Sequence, residues 1–198
     1  MSTISDTSYT IGGIDLYFSA TIADTDVDKG STTGVGSDFR TTTKSLGNIV
    51  TGELAPDVSF LEHFITTADG DKRKDHMIAS AKNLTIPFTF DEMNEANLRR
   101  FFLGVDVVNG SMADAFKVLD NETQTGSAQL YFHTDIGHDL VYMIPKVMLR
   151  PDGNLAMNIE DWWTAPMVLD VLYYDWSPTN EASAVIGPYY GNIKTTNF

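Results

Sequence analysis

Cysteine is absent from the 198-residue chain. That excludes a disulfide framework, a thiol nucleophile and any cysteine-ligated metal centre. Basic charge is scarce as well: 13 Lys and Arg stand against 27 Asp and Glu, a formal net charge of −14 at pH 7. A surface this acidic repels DNA and anionic lipid at long range, which argues against recognition of either through a basic patch. No apolar run approaches the roughly 18 residues that a membrane-spanning helix needs, so no membrane association is expected. Residues 1–20 have neither a basic start nor an apolar segment, so no signal peptide is expected, and synthesis is expected in the cytoplasm. A glycine-rich phosphate loop, a Gly-x-Ser-x-Gly elbow and a His-Glu-x-x-His pair are also missing, and no internal repeat stands out.

Apolar residues are not scarce. At 42% hydrophobic and 11% aromatic the chain can bury a core, and its length suits a single domain over residues 1–198. Most of it reads as strand. Between Tyr9 and Ala20, Ile14, Leu16 and Phe18 share one face, and Gly12-Gly13 predicts a bulge or kink near the start. From Leu84 to Phe90 the even positions are Leu84, Ile86, Phe88 and Phe90, and the odd ones are Thr85, Pro87 and Thr89. This period of two describes a strand with one buried face. Ala128, Leu130 and Phe132 alternate with Gln129, Tyr131 and His133. Residues 139–150 show little polar alternation, which predicts burial on both faces. Pro151-Asp152-Gly153 signals a turn, with a return strand over 154–162 and a last long strand over 165–176. One helix is predicted after Phe90. Asp91 reads as its N-cap, Glu92 and Glu95 fill the first turn, Arg99 and Arg100 the last, and Gly104 ends it. Met93, Ala96, Leu98, Phe101 and Phe102 form a stripe that packs on a sheet. Residues 105–121 read as either a short second helix or a strand edge. The fold class is mainly β with one packed α-helix, a β-sandwich or small β-barrel.

Two segments lack periodicity. Residues 22–48 are mostly small and polar, with Ile22, Val27, Val35, Phe39 and Leu46 as the large apolar residues. They read as a long loop or arm that cannot bury enough surface to order itself and orders when a neighbour supplies contacts. Within it, Asp24, Asp26 and Asp28 alternate ahead of Gly30 in the manner of a calcium loop. Lys29 stands where the turn glycine belongs and Val35 where the bidentate glutamate belongs, which favours a solvated acidic loop. Residues 177–198 read as a C-terminal tail with an aromatic anchor at Tyr189-Tyr190. His133, Asp135 and His138 offer two imidazoles and a carboxylate to a divalent metal, yet Asp135-Ile136-Gly137 reads as a hairpin turn that accounts for the same letters. Glu160-Asp161 beside Trp162-Trp163 suggests carboxylates next to a sugar platform. Trp162, Trp163, Trp176, Tyr173 and Tyr174 read first as core or subunit-contact residues.

The central stretch, residues 53–104, carries a resemblance. An acidic, apolar strand reaches Leu61-Glu62-His63, and a charged turn follows over Asp69-Gly70-Asp71-Lys72-Arg73-Lys74-Asp75. The alternating strand comes next, then Asp91-Glu92 opens a helix containing Asn97-Leu98 and closed by Leu103-Gly104. This order resembles the major tail tube proteins of long-tailed bacteriophages. Gly12-Gly13-Ile14-Asp15-Leu16-Tyr17-Phe18 is similar to that family's opening strand, and Val171-Leu172-Tyr173-Tyr174-Asp175 to its last long strand.

The resemblance implies a structural virion protein rather than an enzyme, needing no cofactor, active site or metal. Hexameric rings would stack into a hollow tail tube through which viral DNA passes to the host without specific binding. The implied partners are further copies of the chain, a tape measure protein, and tail terminator or tip proteins, in the virion tail. Under this reading the polar strand faces supply the lumen lining, with Thr85, Thr89, Asn158, Glu160 and Asp170 as candidates. The 22–48 loop supplies inter-ring contacts: Val27, Val35, Phe39 and Leu46 as apolar anchors, and Arg40 and Lys44 against acidic groups of the adjacent ring. The alternatives are a carbohydrate-binding or glycan-hydrolysing β-sandwich module of a virion or cell wall, and an acidic β-domain of a secretion tube.

Overall fold

The computed structural model describes residues 12–22, 39–41, 43–107, 115–133, 139–157, 159–174 and 190–196. Among them run β1 (Ile14–Ser19), β2 (Ser45–Gly52), β3 (Ala55–Thr66), β4 (Lys72–Phe90), α1 (Glu95–Phe101), β5 (Val105–Asp106), β6 (Phe116–Lys117), β7 (Gln124–Phe132), β8 (Asp139–Pro151), β9 (Ala165–Val171) and β10 (Asn192–Thr196). The alternation at 84–90 sets the wall of the core. Leu84, Ile86, Phe88 and Phe90 stand opposite Val171, Leu169, Met167 and Ala165 across an antiparallel ladder, so both strands turn their apolar side chains to one face.

β8, β7, β1, β2 and β4 follow one another as neighbours, and β9 pairs with both β4 and β8. These six strands therefore close into a barrel, the second of the two architectures read from the sequence. Closure gives the wall strands backbone partners on both sides and leaves no edge in the ring. The interior is filled from every strand: Leu16 and Phe18, Leu46, Ile86 and Phe88, Ala128 and Leu130, Ile144 and Leu149, Met167 and Leu169. Residues 141–145 of β8 are buried on both faces, as expected, because Tyr131, Val141 and Met143 form a second cluster outside the wall with Tyr17 packed against it. From Val147 onward the alternation returns, ending in exposed Arg150.

The helix is shorter than the sequence suggested and starts later. Its N-cap is Asn94, whose side-chain oxygen accepts from the Asn97 amide at 2.9 Å. Asp91 is engaged elsewhere, accepting both carboxylate hydrogen bonds from the Asn48 amide at 2.9 and 2.8 Å. Phe101 enters the core cluster, and Met93 and Phe102 pack against it. Asn97, fully buried, donates to the carbonyls of Leu46 and Glu92 and accepts from Arg100 at 2.8 Å. Arg100 also donates to the carbonyls of Ser45 and Thr43, so the helix is fastened to the start of β2. Burial, reinforced by neighbouring Arg99, lowers the Arg100 pKa.

Several expectations are corrected. Residues 45–48 belong to β2 rather than to a loop, and Phe39 is wholly buried. The return strand expected over 154–162 does not form among the described residues there, where Ala156 makes an isolated bridge to Thr164. Residues 192–196 of the expected tail form β10 on β8, and Tyr190 accepts the Tyr142 hydroxyl hydrogen bond at 2.7 Å. The undecided region after the helix contributes the two-residue strands β5 and β6.

Candidate assembly surface

β9 reaches β4 only over Leu84–Phe90. The remainder of β4, residues 72–83, pairs with β3 alone. At about 3.3 Å per residue these twelve residues carry a two-stranded ribbon roughly 40 Å past the barrel wall. The charged turn is tighter than the sequence suggested. Gly70, at φ +84°, bonds back to Thr67, and Lys72–Asp75 already belong to β4. Every residue of 56–66 and 71–78 is exposed, including large apolar ones such as Leu61 at 67%, Ile78 at 58% and Phe60 at 52%.

Two register shifts shape the ribbon. Ser59 stands opposite Ala81 but Phe60 opposite Ala79; His63 stands opposite His76 but Phe64 opposite Lys74. Ser80 and Asp75 are therefore extra residues in β4, each bulging the strand. With β3 alternating strictly, Val58, Phe60, Phe64, Ala79 and Met77 share the face continuous with the barrel interior, interrupted by a Lys74–Glu62 ion pair. The opposite face carries Leu61, Ile65 and Ile78 with His63 and His76. His63 Nδ1 lies 2.6 Å from Asp75 Oδ1.

A second exposed apolar group sits on the loop between β8 and β9. Ile159 is 102% exposed, Trp162 79% and Met157 66%. Trp163 and Tyr173 are exposed too, so the core reading is corrected for Trp162, Trp163 and Tyr173; Tyr174 is half-buried, and Trp176 lies outside the described residues. A cleft of about 710 Å³ lies at the side of the barrel, and its carboxylates are Glu53 and Asp152. Trp162, Trp163, Glu160 and Asp161 do not line it, so the sugar platform suggested by the sequence is not part of this cleft.

The structure places Thr85, Thr89 and Asp170 on the outer face of the wall. Thr85 stands between Ala55 and Asp170, and Thr89 between Thr51 and Pro166. Asp170 accepts from Arg150 Nε at 2.6 Å, a hydrogen bond that raises the Arg150 pKa. Glu160 is exposed on the β8–β9 loop, apart from the other three. Asn158 lies outside the described residues, as do Val27, Val35, Asp24, Asp26, Asp28, Asp135 and His138. Of the remaining inter-ring candidates, Phe39 and Leu46 are 0% exposed. Side chains with no exposed surface have none to offer a neighbour, and both are corrected to interior residues of this subunit. Arg40 stacks over Tyr131 at 5.1 Å and Lys44 over Phe39 at 4.3 Å. Among the described residues no group of three or more His, Asp or Glu is placed to hold a metal ion, and no helix is long and apolar enough to cross a membrane.

No family model matches the chain, and no curated protein sequence matches it. Among solved structures it is similar to one described as an extracellular contractile injection system, PVC sheath-tube complex in the extended state. The identity is 9% and the TM-score 0.35, over 86% of this chain and 93% of that one.

Proposed function

We propose that the chain is the repeating subunit of a tail tube: rings of six copies stack into a hollow cylinder, and viral DNA passes through the bore to the host without specific binding. The observation that carries this reading is the projecting ribbon. A lone two-stranded hairpin is marginally stable in water, and this one exposes apolar side chains on both faces. The outer edge of β3 and the 72–83 edge of β4 have no partner strand among the described residues. An edge of this length is satisfied when a neighbouring copy adds its own sheet. The barrel wall is closed by strand pairing, and the ribbon alone reaches out from it.

Charge supports the passage of DNA. Six copies carry 6 × −14 = −84 formal charges, and an acidic or neutral bore lined by Thr85, Thr89 and Asp170 does not hold a polyanion. Screening limits that repulsion to about 8–10 Å in physiological salt. Such a subunit needs no cofactor and no active site. Its partners are further copies of itself, a tape measure protein, and terminator or tip proteins, and its place is the virion tail. Negative-stain microscopy with native mass spectrometry tests the reading. The expected result is tubes or rings, with a ring mass of about 131 kDa from 6 × 21.9 kDa. Leu61→Ser should abolish tubes while leaving the monomer melting curve in place. Monodisperse particles at every concentration, above all ones that bind glycans, would defeat it in favour of a carbohydrate module.

A further inference from the structure

The ribbon of β3 and β4 sets two imidazoles opposite each other. His63 and His76 are antiparallel register partners, the fourth pair in from the turn, and both are exposed. Directly opposed residues leave the same face of a ribbon with their Cβ atoms about 4.5–5.5 Å apart. Two nitrogens on one tetrahedral ion lie about 3.3 Å apart, given metal–nitrogen bonds of about 2.0–2.1 Å. Rotation about the two side-chain torsions of each histidine spans that difference without moving the backbone. The same face carries the Leu61–Ile78 pair on the barrel side and Ile65 with Arg73 on the turn side. Lys74 and Glu62 pair with each other on the opposite face.

Asp75 supplies a second, separate observation. It is the extra residue of a bulge, so it takes no register position of its own, and its Oδ1 lies 2.6 Å from His63 Nδ1. An ionised carboxylate only accepts hydrogen bonds, so Nδ1 carries the hydrogen and Nε2 keeps its lone pair. A carboxylate behind an imidazole in this way fixes the tautomer and ring orientation of metal-ligating histidines and makes them stronger ligands. Bulges re-aim side chains, and this one puts the carboxylate beside the histidine pair.

We propose that His63 and His76 together bind one divalent transition-metal ion of the zinc and copper class, and that the ion clips β3 to β4 near the ribbon turn. Imidazole suits zinc, copper and nickel, whereas magnesium and calcium take oxygen ligands. The two imidazoles are the protein ligands and water completes the shell. Asp75 is a positioning residue: it acts on the ion through the His63 ring. The ribbon is where such a clip has an effect. β3 pairs with β4 and with no other strand among the described residues, and a lone two-stranded hairpin is marginally stable. An ion that needs both strands in register binds the closed ribbon and not the opened one, so it stabilises the closed form by mass action. The clip acts within one chain, whether or not the chain builds a tube.

Isothermal titration calorimetry of the full chain with zinc chloride tests the site. Excess magnesium is present throughout to occupy sites made of carboxylates alone. Zinc should bind, and His63→Gln and His76→Gln should each weaken it by more than Asp75→Asn does. The Asp75→Asn loss should be at least about tenfold, the scale of a lost partner behind a ligating histidine. His138→Gln, which removes the other imidazole pairing suggested by the sequence, should leave this binding unchanged. The zinc-free melting curve should not move in the three ribbon variants, whose side chains are exposed or at the surface. Hydrogen exchange reads the clip itself. Amides of residues 60–65 and 73–78 should exchange about tenfold more slowly with zinc at ten times its dissociation constant, and a chelator should reverse the change. No zinc binding, binding that survives both histidine variants, or binding removed by His138→Gln would overturn the site. Zinc held by the two histidines with exchange unaltered would overturn the clip.

Discussion

Truncation of Asn97 to alanine offers a measurable test of how the helix is held to the barrel. Asn97 is 0% exposed, and its amide donates to the carbonyls of Leu46 at 3.0 Å and Glu92 at 2.9 Å. Its oxygen accepts from Arg100 at 2.8 Å. Alanine removes all three bonds at once and leaves the Leu46 carbonyl in a buried setting without that donor. A buried polar group deprived of its partner costs about 1–3 kcal/mol. The Glu92 bond is only partly buried and contributes toward the low end, so the expected loss is about 2–4 kcal/mol. For a domain of this size each kcal/mol corresponds to roughly 2–4 °C, so Tm should fall by about 5–15 °C. Asn97→Asp sharpens the test, because it keeps size and the bond to Arg100 but points acceptors at two carbonyls. It should be at least as unstable as alanine at pH 7 and recover part of the difference near pH 3, where the carboxyl regains a proton to donate. Urea unfolding followed by circular dichroism reads both. A loss under about 0.5 kcal/mol for alanine, the range of an unimportant surface site, or an aspartate variant as stable as the parent, would refute this account of the helix anchor.

Other outcomes follow from single positions. Gly126→Ala places a Cβ 1.9 Å from the Ser19 carbonyl oxygen; the backbone must shift, and a loss of about 2–4 kcal/mol is expected by thermal unfolding. Asn94→Ala should cost about 1 kcal/mol as the true N-cap, more than Asp91→Ala, whose partner Asn48 is exposed; equal losses would argue against the shorter helix. Burial pushes the Tyr142 phenol up to about 12, whereas an unfolded tyrosine ionises near pH 10. Between those values the unfolded chain alone loses the proton, so stability is complete below about pH 10 and falls as pH rises toward 12. Tyr142→Phe should flatten that decline in urea midpoints measured across the range, and an unchanged slope would count against it.

What the sequence made legible was what one face of one strand decides. The alternation at Leu84–Phe90 needs only its own burial to be read, and the run at 141–145 needs only to be apolar on both faces. The helix was visible as a stripe, but its first residue turned on whether Asp91 or Asn94 faced the Asn97 amide, and the competing partner, Asn48, lies 43 positions away. Barrel closure was invisible because it depends on β9 meeting both β4 and β8. The bulges at Ser80 and Asp75 were invisible for a related reason. They shift which ribbon residues share a face without altering the letters, so Met77 joins Phe60 while Ile78 joins Leu61. Phe39 and Leu46 were misplaced because a sparse apolar residue in a polar stretch looks the same whether it waits for a neighbour or already fills its own core. Their signal was their nearness to β2, whose interior face begins at Leu46.

β4 is shared between the barrel wall and the ribbon without a break. A pull on the ribbon along its axis is therefore carried lengthwise into the wall. There it loads the seven pairs between β4 and β9 together, along with those to β2. Hydrogen bonds stressed side by side must yield as a group, whereas bonds peeled from one end yield in turn. A particle built from such subunits would stretch stiffly and transmit tension from one end to the other, with the weakest link at the joints between molecules rather than inside them.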